Sequence, residues 1–211
     1  MGVRREFRLR RFIVFLLFLL ALASPAAARM LGDPSVPFSA DRTLTIGERT
    51  YSGKLFAVPG SQRHEQTIQG IPQIVILHGG DARGWWVLPG LNSVVEFGFA
   101  PIAIELSDDD LLSTKLGEET IEGRHTSKYR VEHTARDGTL VDGYLWLTRD
   151  GIPMRFAGNY TTPGGKTTPV RLELSHVRTG PQDPALFEVP QNMAKLPLEA
   201  LAPLLGKRPG G

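Results

Sequence analysis

A His-Gly-Gly sequence at the end of an apolar strand is the chain's best candidate for a catalytic loop. His78, Gly79 and Gly80 directly follow the apolar residues 74–77. Backbone N–H groups of such a loop can stabilise an oxyanion during ester hydrolysis, but the reaction also needs a serine in a Gly-x-Ser-x-Gly turn further along the chain. No serine of this chain lies in such a turn. We therefore interpret the sequence as a strand that ends in a glycine turn, and we predict no catalytic residue.

The histidines and aspartates do not form a metal-ligand pattern. The five histidines show neither H-x-x-x-H nor H-E-x-x-H spacing, and the chain has no cysteine. Three aspartates follow Ser107, and carboxylates in a row could bind a hard cation. Serine and aspartate are also the residues that cap and begin helices. We favour the second interpretation, which predicts a short helix near residues 107–115, no metal site and no cofactor.

The first 28 residues have the pattern of a secretory signal peptide. Five arginines lie within residues 4–11, an apolar run covers residues 12–23, and three alanines at 26–28 provide a cleavage sequence. The apolar run is too short for a transmembrane helix, which needs roughly 20 residues. We predict cleavage near Ala28 and a periplasmic location for the mature chain.

The charge of the mature chain does not provide the basic surface that nucleic-acid binding requires. The whole chain has 24 basic and 22 acidic residues, and the signal peptide takes away five Arg and one Glu, which leaves 19 basic and 21 acidic residues. We therefore predict no nucleic-acid partner. Without cysteine, the stability of an exported domain must come from its hydrophobic core, and roughly 180 residues can bury such a core.

Short strands separated by Gly and Pro turns dominate the mature chain. Turn signals such as Pro59-Gly60, Asp137-Gly138 and Asp150-Gly151 recur at roughly the 8–12-residue interval of all-β folds. Strands do not alternate with helices as they do in a parallel α/β sheet. We predict a flexible lead-in over residues 29–37, one mainly β (α+β) domain over residues 38–197, and a Leu-rich tail over residues 198–211.

Three of the predicted strands are apolar on both faces. They lie in residues 73–78 (QIVILH), residues 85–89 (WWVLP) and residues 140–148, where Tyr144 and Trp146 alternate with Leu145 and Leu147. A strand of this kind has to be covered on both sides. The pattern predicts a second layer on one face, and a core or a ligand cavity on the other.

A series of short motifs recurs in the order found in one family of exported proteins. The series comprises Gly53-Lys54, Pro59-Gly60, Arg63-x-Glu65, the apolar residues 74–77, Trp86-x-Leu88-Pro89, Asp150-Gly151-Ile152-Pro153 and the closing GPQDPALFEVP of residues 180–190. In this order the motifs resemble the LolA-like superfamily of periplasmic proteins, which includes the outer-membrane lipoprotein carrier and the stress sensor of the RseB type. The resemblance covers residues 38–197.

The resemblance implies a strongly curved antiparallel sheet, an incomplete barrel with short helices as a lid over its concave face. In the carrier, that concavity holds the acyl chains of a lipoprotein. The carrier has an arginine just before the turn proline, tied to lid movement, where this chain has Val58. The resemblance therefore implies a related lipid-binding protein, with a lipid or an acylated lipoprotein as cargo and a membrane protein as donor or acceptor.

Nine large apolar residues of the predicted strands are the candidates for lining the lipid cavity. Alternation sorts them into faces without deciding which face binds. The set consists of Leu55, Ile74, Ile76, Trp86, Leu88, Tyr144, Trp146, Met154 and Phe156.

Two other functions fit the same sequence. One is an envelope sensor or scaffold that contacts another protein through an open sheet edge or through the Leu-rich residues 196–205. The other is a hydrolase whose site has no recognisable motif. Lipid that is purified together with the protein would distinguish the lipid-binding function from both.

Overall fold

The computed structural model describes residues 22–23, 34–68, 70–80, 83–98, 102–103, 114–134 and 138–197. The predicted signal peptide, apart from residues 22–23, and the tail over residues 198–211 lie outside these ranges. So do residues 29–33 of the predicted lead-in. The helix predicted near residues 107–115 also falls outside them up to residue 113, and its last two residues, Thr114 and Lys115, begin a strand.

The first half of the domain is a meander of strands joined by short turns. It comprises β2 (Phe38–Ile46), β3 (Arg49–Val58), β4 (Ser61–Ile68), β5 (Ile71–His78), β6 (Arg83–Leu88), a 3₁₀ turn at Pro89–Leu91 and β7 (Ser93–Gly98). Two-residue strands, β1 (Leu22–Ala23) and β8 (Ile102–Ala103), pair with each other in parallel.

The second half is another meander, and a short C-terminal strand follows it. It comprises β9 (Thr114–Ile121), β10 (Arg124–Thr134), β11 (Leu140–Thr148), β12 (Pro153–Thr161), β13 (Thr167–Thr179), a 3₁₀ turn at Pro184–Phe187 and β14 (Ala194–Lys195). The two 3₁₀ turns are the only helical elements among the described residues.

Twelve of these strands form one open sheet. Their order is β14-β7-β6-β5-β4-β3-β2-β13-β12-β11-β10-β9, and every neighbouring pair is antiparallel except β14 and β7. The two meanders join where β2 pairs with β13, with Leu44 opposite Leu172. The sheet does not close, because its outermost strands, β9 and β14, do not pair. The predicted mainly β, incomplete-barrel sheet is confirmed, whereas no lid helix lies among the described residues.

Glycine turns set the hairpins, as the sequence predicts. Gly60 and Gly151 adopt φ of 78° and 80°, a left-handed conformation that glycine reaches without steric cost. Gly60 follows Pro59 between β3 and β4, and Gly151 follows Asp150 between β11 and β12. These turns fix the register of the flanking strands, and the register decides which side chains share a face.

One face of the first meander is buried almost throughout, and we call it the inner face. Residues that lie directly opposite each other on neighbouring strands form this inner face. From β2 to β7 they are Ala40, Leu55, His64, Val75, Trp86 and Val95, each opposite the next. All of them are at most 5% exposed. The opposite, outer face carries mostly polar and charged side chains on β2 and β3, such as Asp41 and Lys54.

No helix within the described ranges is long and apolar enough to cross a membrane.

Candidate binding site on the inner face

The structure divides the nine predicted cavity residues between the two faces. Register and alternation place five of them on the inner face: Leu55, Trp86, Leu88, Met154 and Phe156. Each of these five is at most 4% exposed. Ile74 and Ile76 lie on the outer face, opposite Val87 and Trp85. The predicted set is therefore not one lining.

The other two predicted residues, Tyr144 and Trp146, come from β11. Trp146 is buried in one cluster with Leu55, Met154 and Leu174. Tyr144 is 38% exposed, and the cations of Lys128 and Arg130 lie over its ring at 4.8 and 5.3 Å from the centroid. Tyr144 is thus covered by long charged side chains rather than by a core.

A C-terminal segment, residues 184–196, covers the outer face of β5 to β7. Val189 and Met193 pack against the buried side chains of Ile76, Val87 and Val94. Strand β14 extends the edge, since the N–H of Leu196 donates to the carbonyl of Val94 at 2.9 Å. The second layer predicted for the doubly apolar strands β5 and β6 is this segment.

Two side chains of the sheet hold the start of the C-terminal segment. Nη1 of Arg63 donates to the carbonyl of Leu186 at 3.0 Å, while its Nε pairs with Glu65 at 2.7 Å. Nε2 of His78 lies 2.9 Å from the carbonyl of Phe187, so this nitrogen carries the proton and donates. His78 therefore has a structural partner, which agrees with the interpretation of His-Gly-Gly as a strand end.

A pocket of about 420 Å³ lies between the C-terminal segment and the outer face. Its walls include Trp85, Val94 and Met193, with Glu96 and Lys195 among the charged residues. None of the nine predicted cavity residues lines it.

The inner face also carries a buried polar cluster that the sequence analysis did not identify. Nη1 of Arg42 donates to Nδ1 of His64 at 3.0 Å, and Nη2 donates to Oε1 of Gln66 at 2.5 Å. Because Nδ1 accepts, Nε2 carries the proton, and it donates to Oε1 of Gln62 at 3.1 Å. Arg42 and His64 are each 2% exposed. We call Arg42, Gln62, His64 and Gln66 the polar cluster.

Burial makes the polar cluster electrostatically unusual. Desolvation lowers the pKa of the Arg42 guanidinium to about 10, so the group stays charged at neutral pH. Desolvation, followed by the positive charge of Arg42, holds the pKa of His64 well below its ordinary value, so this ring is neutral. Among the described residues, no acidic side chain pairs with Arg42. The inner face therefore buries one positive charge among neutral partners.

Several hydrogen-bonding atoms of the inner face have no partner within the described part of the chain. Three of them lie on or near the polar cluster, Nε of Arg42, Oε1 of Gln73 and Nε1 of Trp86, and a fourth is Nε2 of His133 on β10. Gln73 lies directly opposite Gln66 of the polar cluster. A buried donor or acceptor without a partner costs about 1–3 kcal/mol, so unpaired atoms around one cluster call for an explanation.

Gly53 on β3 makes the polar cluster sterically feasible. It lies opposite Arg42 on one side and Gln66 on the other. With no side chain there, the Arg42 guanidinium can extend across β3 and reach Gln66 and His64 on β4. A Cβ at this position would clash with the carbonyl oxygen of Glu65. The glycine of the Gly53-Lys54 motif thus has a structural role beside the polar cluster.

The alternation of β4 hides the polar cluster from sequence analysis. Gln62, His64 and Gln66 alternate with Arg63, Glu65 and Thr67, so both faces of the strand look solvated. The only indication that one face of β4 is buried is the position of the strand, because β4 lies between β3 and β5, whose inner faces carry apolar residues. The paired Arg63 and Glu65 lie on the outer face.

No group of three or more His, Cys, Asp or Glu that could hold a metal ion occurs among the described residues. The histidines are distributed over separate partners instead. His125 lies 3.1 Å from a carboxylate oxygen of Glu118, and His176 lies 2.9 Å from one of Asp41. The aspartates at 108–110 lie outside the described residues.

The neutral, buried His64 predicts a loss of stability in mildly acidic solution. Its pKa is lower in the folded state than in the unfolded state. The contribution of His64 is therefore complete above about pH 6.5 and decreases as the pH falls, by up to about 1.4 kcal/mol per pH unit. His133, whose pKa burial also lowers, acts in the same direction. Urea unfolding between about pH 5 and 6.5 measures the slope, since ordinary carboxylates titrate at lower pH.

His64→Gln is the matched control for this pH dependence. Glutamine can accept from Arg42 and donate to Gln62 without titrating. The variant should show a shallower pH slope than the wild type, with the residual slope coming from His133. An unchanged slope would contradict the assignment to His64.

The comparisons with known proteins place the fold among solved structures. No protein-family model matches the sequence, and no curated protein matches it. An uncharacterised conserved protein from Thermus thermophilus has a similar structure, with a TM-score of 0.51 and 17% identity over 77% of this chain and 91% of that chain.

Two further solved structures are less similar. A chain of the Pseudomonas aeruginosa MucA/MucB complex matches with a TM-score of 0.46 and 17% identity, over 77% of this chain and 58% of that one. A LolA superfamily protein from Nitrosomonas europaea matches with a TM-score of 0.39 and 11% identity, over 74% and 91%. At 17% identity, the similarity to the Thermus thermophilus protein concerns the fold alone.

Proposed function

We propose that this protein is a periplasmic binding protein that holds lipid or lipoprotein acyl chains against the inner face of its open sheet. The observation that carries the proposal is the extent of that face. It continues from Val95 on β7 through Leu44 on β2 to Phe156 on β12 and Leu145 on β11. Each of these residues is at most 3% exposed.

The energetics of such a surface suit acyl chains. Each CH₂ group that leaves water contributes about 0.8 kcal/mol, so a long chain binds without specific polar contacts. An open sheet can widen where a closed barrel cannot, because its edge strands β9 and β14 are not joined to each other. The cargo would be a lipid or an acylated lipoprotein, delivered or received by a membrane protein. The proposal includes no catalytic residue, metal or cofactor.

Lipid analysis of the protein purified from the periplasm tests this function. We expect organic extraction and mass spectrometry to recover acyl lipid in near-stoichiometric amount. The same sample should begin near Arg29. Folded protein that contains no more lipid than a blank purification would contradict the proposal.

Two adjacent residues of β6 provide a matched pair of variants. Leu88 lies on the inner face and Val87 on the outer face, and they are 2% and 1% exposed. Alanine removes buried methyl groups in both cases and should lower stability in both. Only Leu88→Ala should reduce the recovered lipid, and an equal reduction in Val87→Ala would place the lipid elsewhere or attribute the loss to instability.

A sensor or scaffold that contacts another protein is the second candidate function. Strand β9 lies at the edge of the sheet, and seven of its eight residues are exposed, including Leu116 at 50%. An exposed edge strand can pair with an added strand of a partner. Salt bridges from Lys115 and Lys128 to Glu118 and Glu119 place charges on this edge. A lipid-free protein would favour this function.

A further inference from the structure

Arg42 is a buried charge without a counter-charge among the described residues. The residue is 2% exposed, and its two bonded partners, His64 and Gln66, are neutral. Removing a charge from water is expensive unless an opposite charge or a full set of hydrogen bonds compensates it. Among the described residues, no carboxylate supplies that compensation.

The hydrogen bonds of Arg42 are also incomplete. A guanidinium has five N–H donors, and the bonds to His64 and Gln66 use two of them. Nε has no acceptor among the described residues. The unused donors therefore lie on a group that remains charged at neutral pH, within the apolar face that the proposed function assigns to acyl chains.

The chemistry of these donors selects an anion. A guanidinium binds the two oxygens of a carboxylate or a phosphate in a planar, bidentate arrangement, which a single ammonium group cannot reproduce. An amphiphile has such a group at the end of its apolar chain. Its chain would replace apolar contacts of the inner face, and its head group would supply the missing charge.

We propose that Arg42 is the head-group site for an anionic amphiphile, and that its free N–H donors bind a carboxylate or phosphate oxygen while the acyl chain lies along the inner face. This assignment rests on the proposed lipid-binding function and adds a ligand class to it. Gln62, His64 and Gln66 are positioning residues, because they orient the guanidinium or each other from β4 without needing to touch the ligand. Gly53 leaves the space through which Arg42 reaches them.

Binding of three amphiphiles of equal chain length tests the assignment: a fatty acid, the corresponding fatty alcohol and the corresponding monoalkyl phosphate. Calorimetric titration of the mature protein at about pH 8 keeps the carboxylic acid ionised. We expect the better of the two anions to bind at least about tenfold more tightly than the alcohol, which is the effect of a hydrogen bond to a charged group. The order of the fatty acid and the alkyl phosphate identifies which anion the site prefers.

Two variants of Arg42 test separately how the positive charge and the planar shape of the guanidinium affect the preference for the anion. Arg42→Met keeps an unbranched apolar stem and should reduce the preference for the anion to less than about twofold, with little change for the alcohol. Arg42→Lys keeps the charge without the planar fork and should give an intermediate preference. Circular dichroism of each variant verifies that it is folded.

The outcomes distinguish this inference from the function on which it rests. A wild-type protein that binds the alcohol as tightly as both anions would overturn the head-group site and leave the lipid-binding function intact. Failure of all three amphiphiles to bind would overturn both. If Arg42→Met does not fold, the wild-type preference still decides, together with Arg42→Lys.

Discussion

Replacing Trp86 with glutamate is expected to unfold the protein. The indole is 3% exposed on the inner face and lies between Val75 and Val95. An unpaired carboxylate in that position would cost several kcal/mol, which is a large part of the roughly 5–15 kcal/mol that stabilises a typical domain. Urea unfolding followed by circular dichroism should show a large shift of the midpoint to lower urea, or no folded baseline.

Trp86→Phe is the matched control for this substitution. It keeps an aromatic ring and removes Nε1, a donor that has no partner among the described residues. We expect the stability of this variant to remain within about 1.5 kcal/mol of the wild type.

The opposite result for Trp86→Glu would be a folded protein with an unchanged midpoint. It would mean that water reaches Trp86, and lipid retention by the same sample would then show whether the residue lines an open cavity.

Substituting Gly53 is expected to have the second-largest effect. The new Cβ of Gly53→Ala would clash with the backbone carbonyl of Glu65, so β3 and β4 would have to separate. The same shift moves Gln66 and His64 away from Arg42, which then loses the two neutral partners of its guanidinium. Because breaking a buried polar network adds to the steric cost, we expect destabilisation above about 3 kcal/mol, measured by urea unfolding.

Gly117→Ala provides the comparison for Gly53→Ala. Gly117 lies in the edge strand β9, and a Cβ there would meet no atom of the described residues within 4 Å. Its replacement should change stability by no more than about 1 kcal/mol, because alanine restricts the unfolded chain and meets no obstacle in the folded one. Equal effects of the two substitutions would show that the contact of Gly53 with β4 is not important.

The fold could be predicted from the sequence because the signals that define it, turn glycines and alternation within strands, involve residues close together in the chain. Gly60 and Gly151 mark two hairpins, and alternation in β2 and β3 gives their bounds without reference to the rest of the chain. The apolar character of both faces of β5 and β6 predicted a second layer on one face, and residues 184–196 form that layer. The identity of the outer layer could not be predicted, because residues 184–196 contact β5 to β7 across roughly a hundred positions of sequence.

The candidate site was only partly predictable, for two physical reasons. Apolar character does not distinguish the faces of a sheet when both are covered. The sequence therefore groups Ile74 and Ile76 with Trp86, although they face the C-terminal segment. Polar character is likewise ambiguous, since Arg42 and His64 have the residue types of a solvated surface and are buried only because the register places them on the inner face. In both cases the sequence does not indicate what covers a side chain, because burial depends on contacts between residues that are distant in sequence.

Two strand pairs of the sheet, β2–β13 and β7–β14, connect residues distant in sequence, and this has a consequence for the folding kinetics. Each meander consists of hairpins whose partners are close in sequence, and such contacts form rapidly. The pairs β2–β13 and β7–β14 instead join residues such as Leu44 with Leu172 and Ser93 with Ala194, so each must close a loop of more than a hundred residues. These two strand pairs should form last and limit the folding rate. Until β2 pairs with β13, the two meanders are separate, and the newly synthesised chain exposes the apolar surface that the folded protein buries.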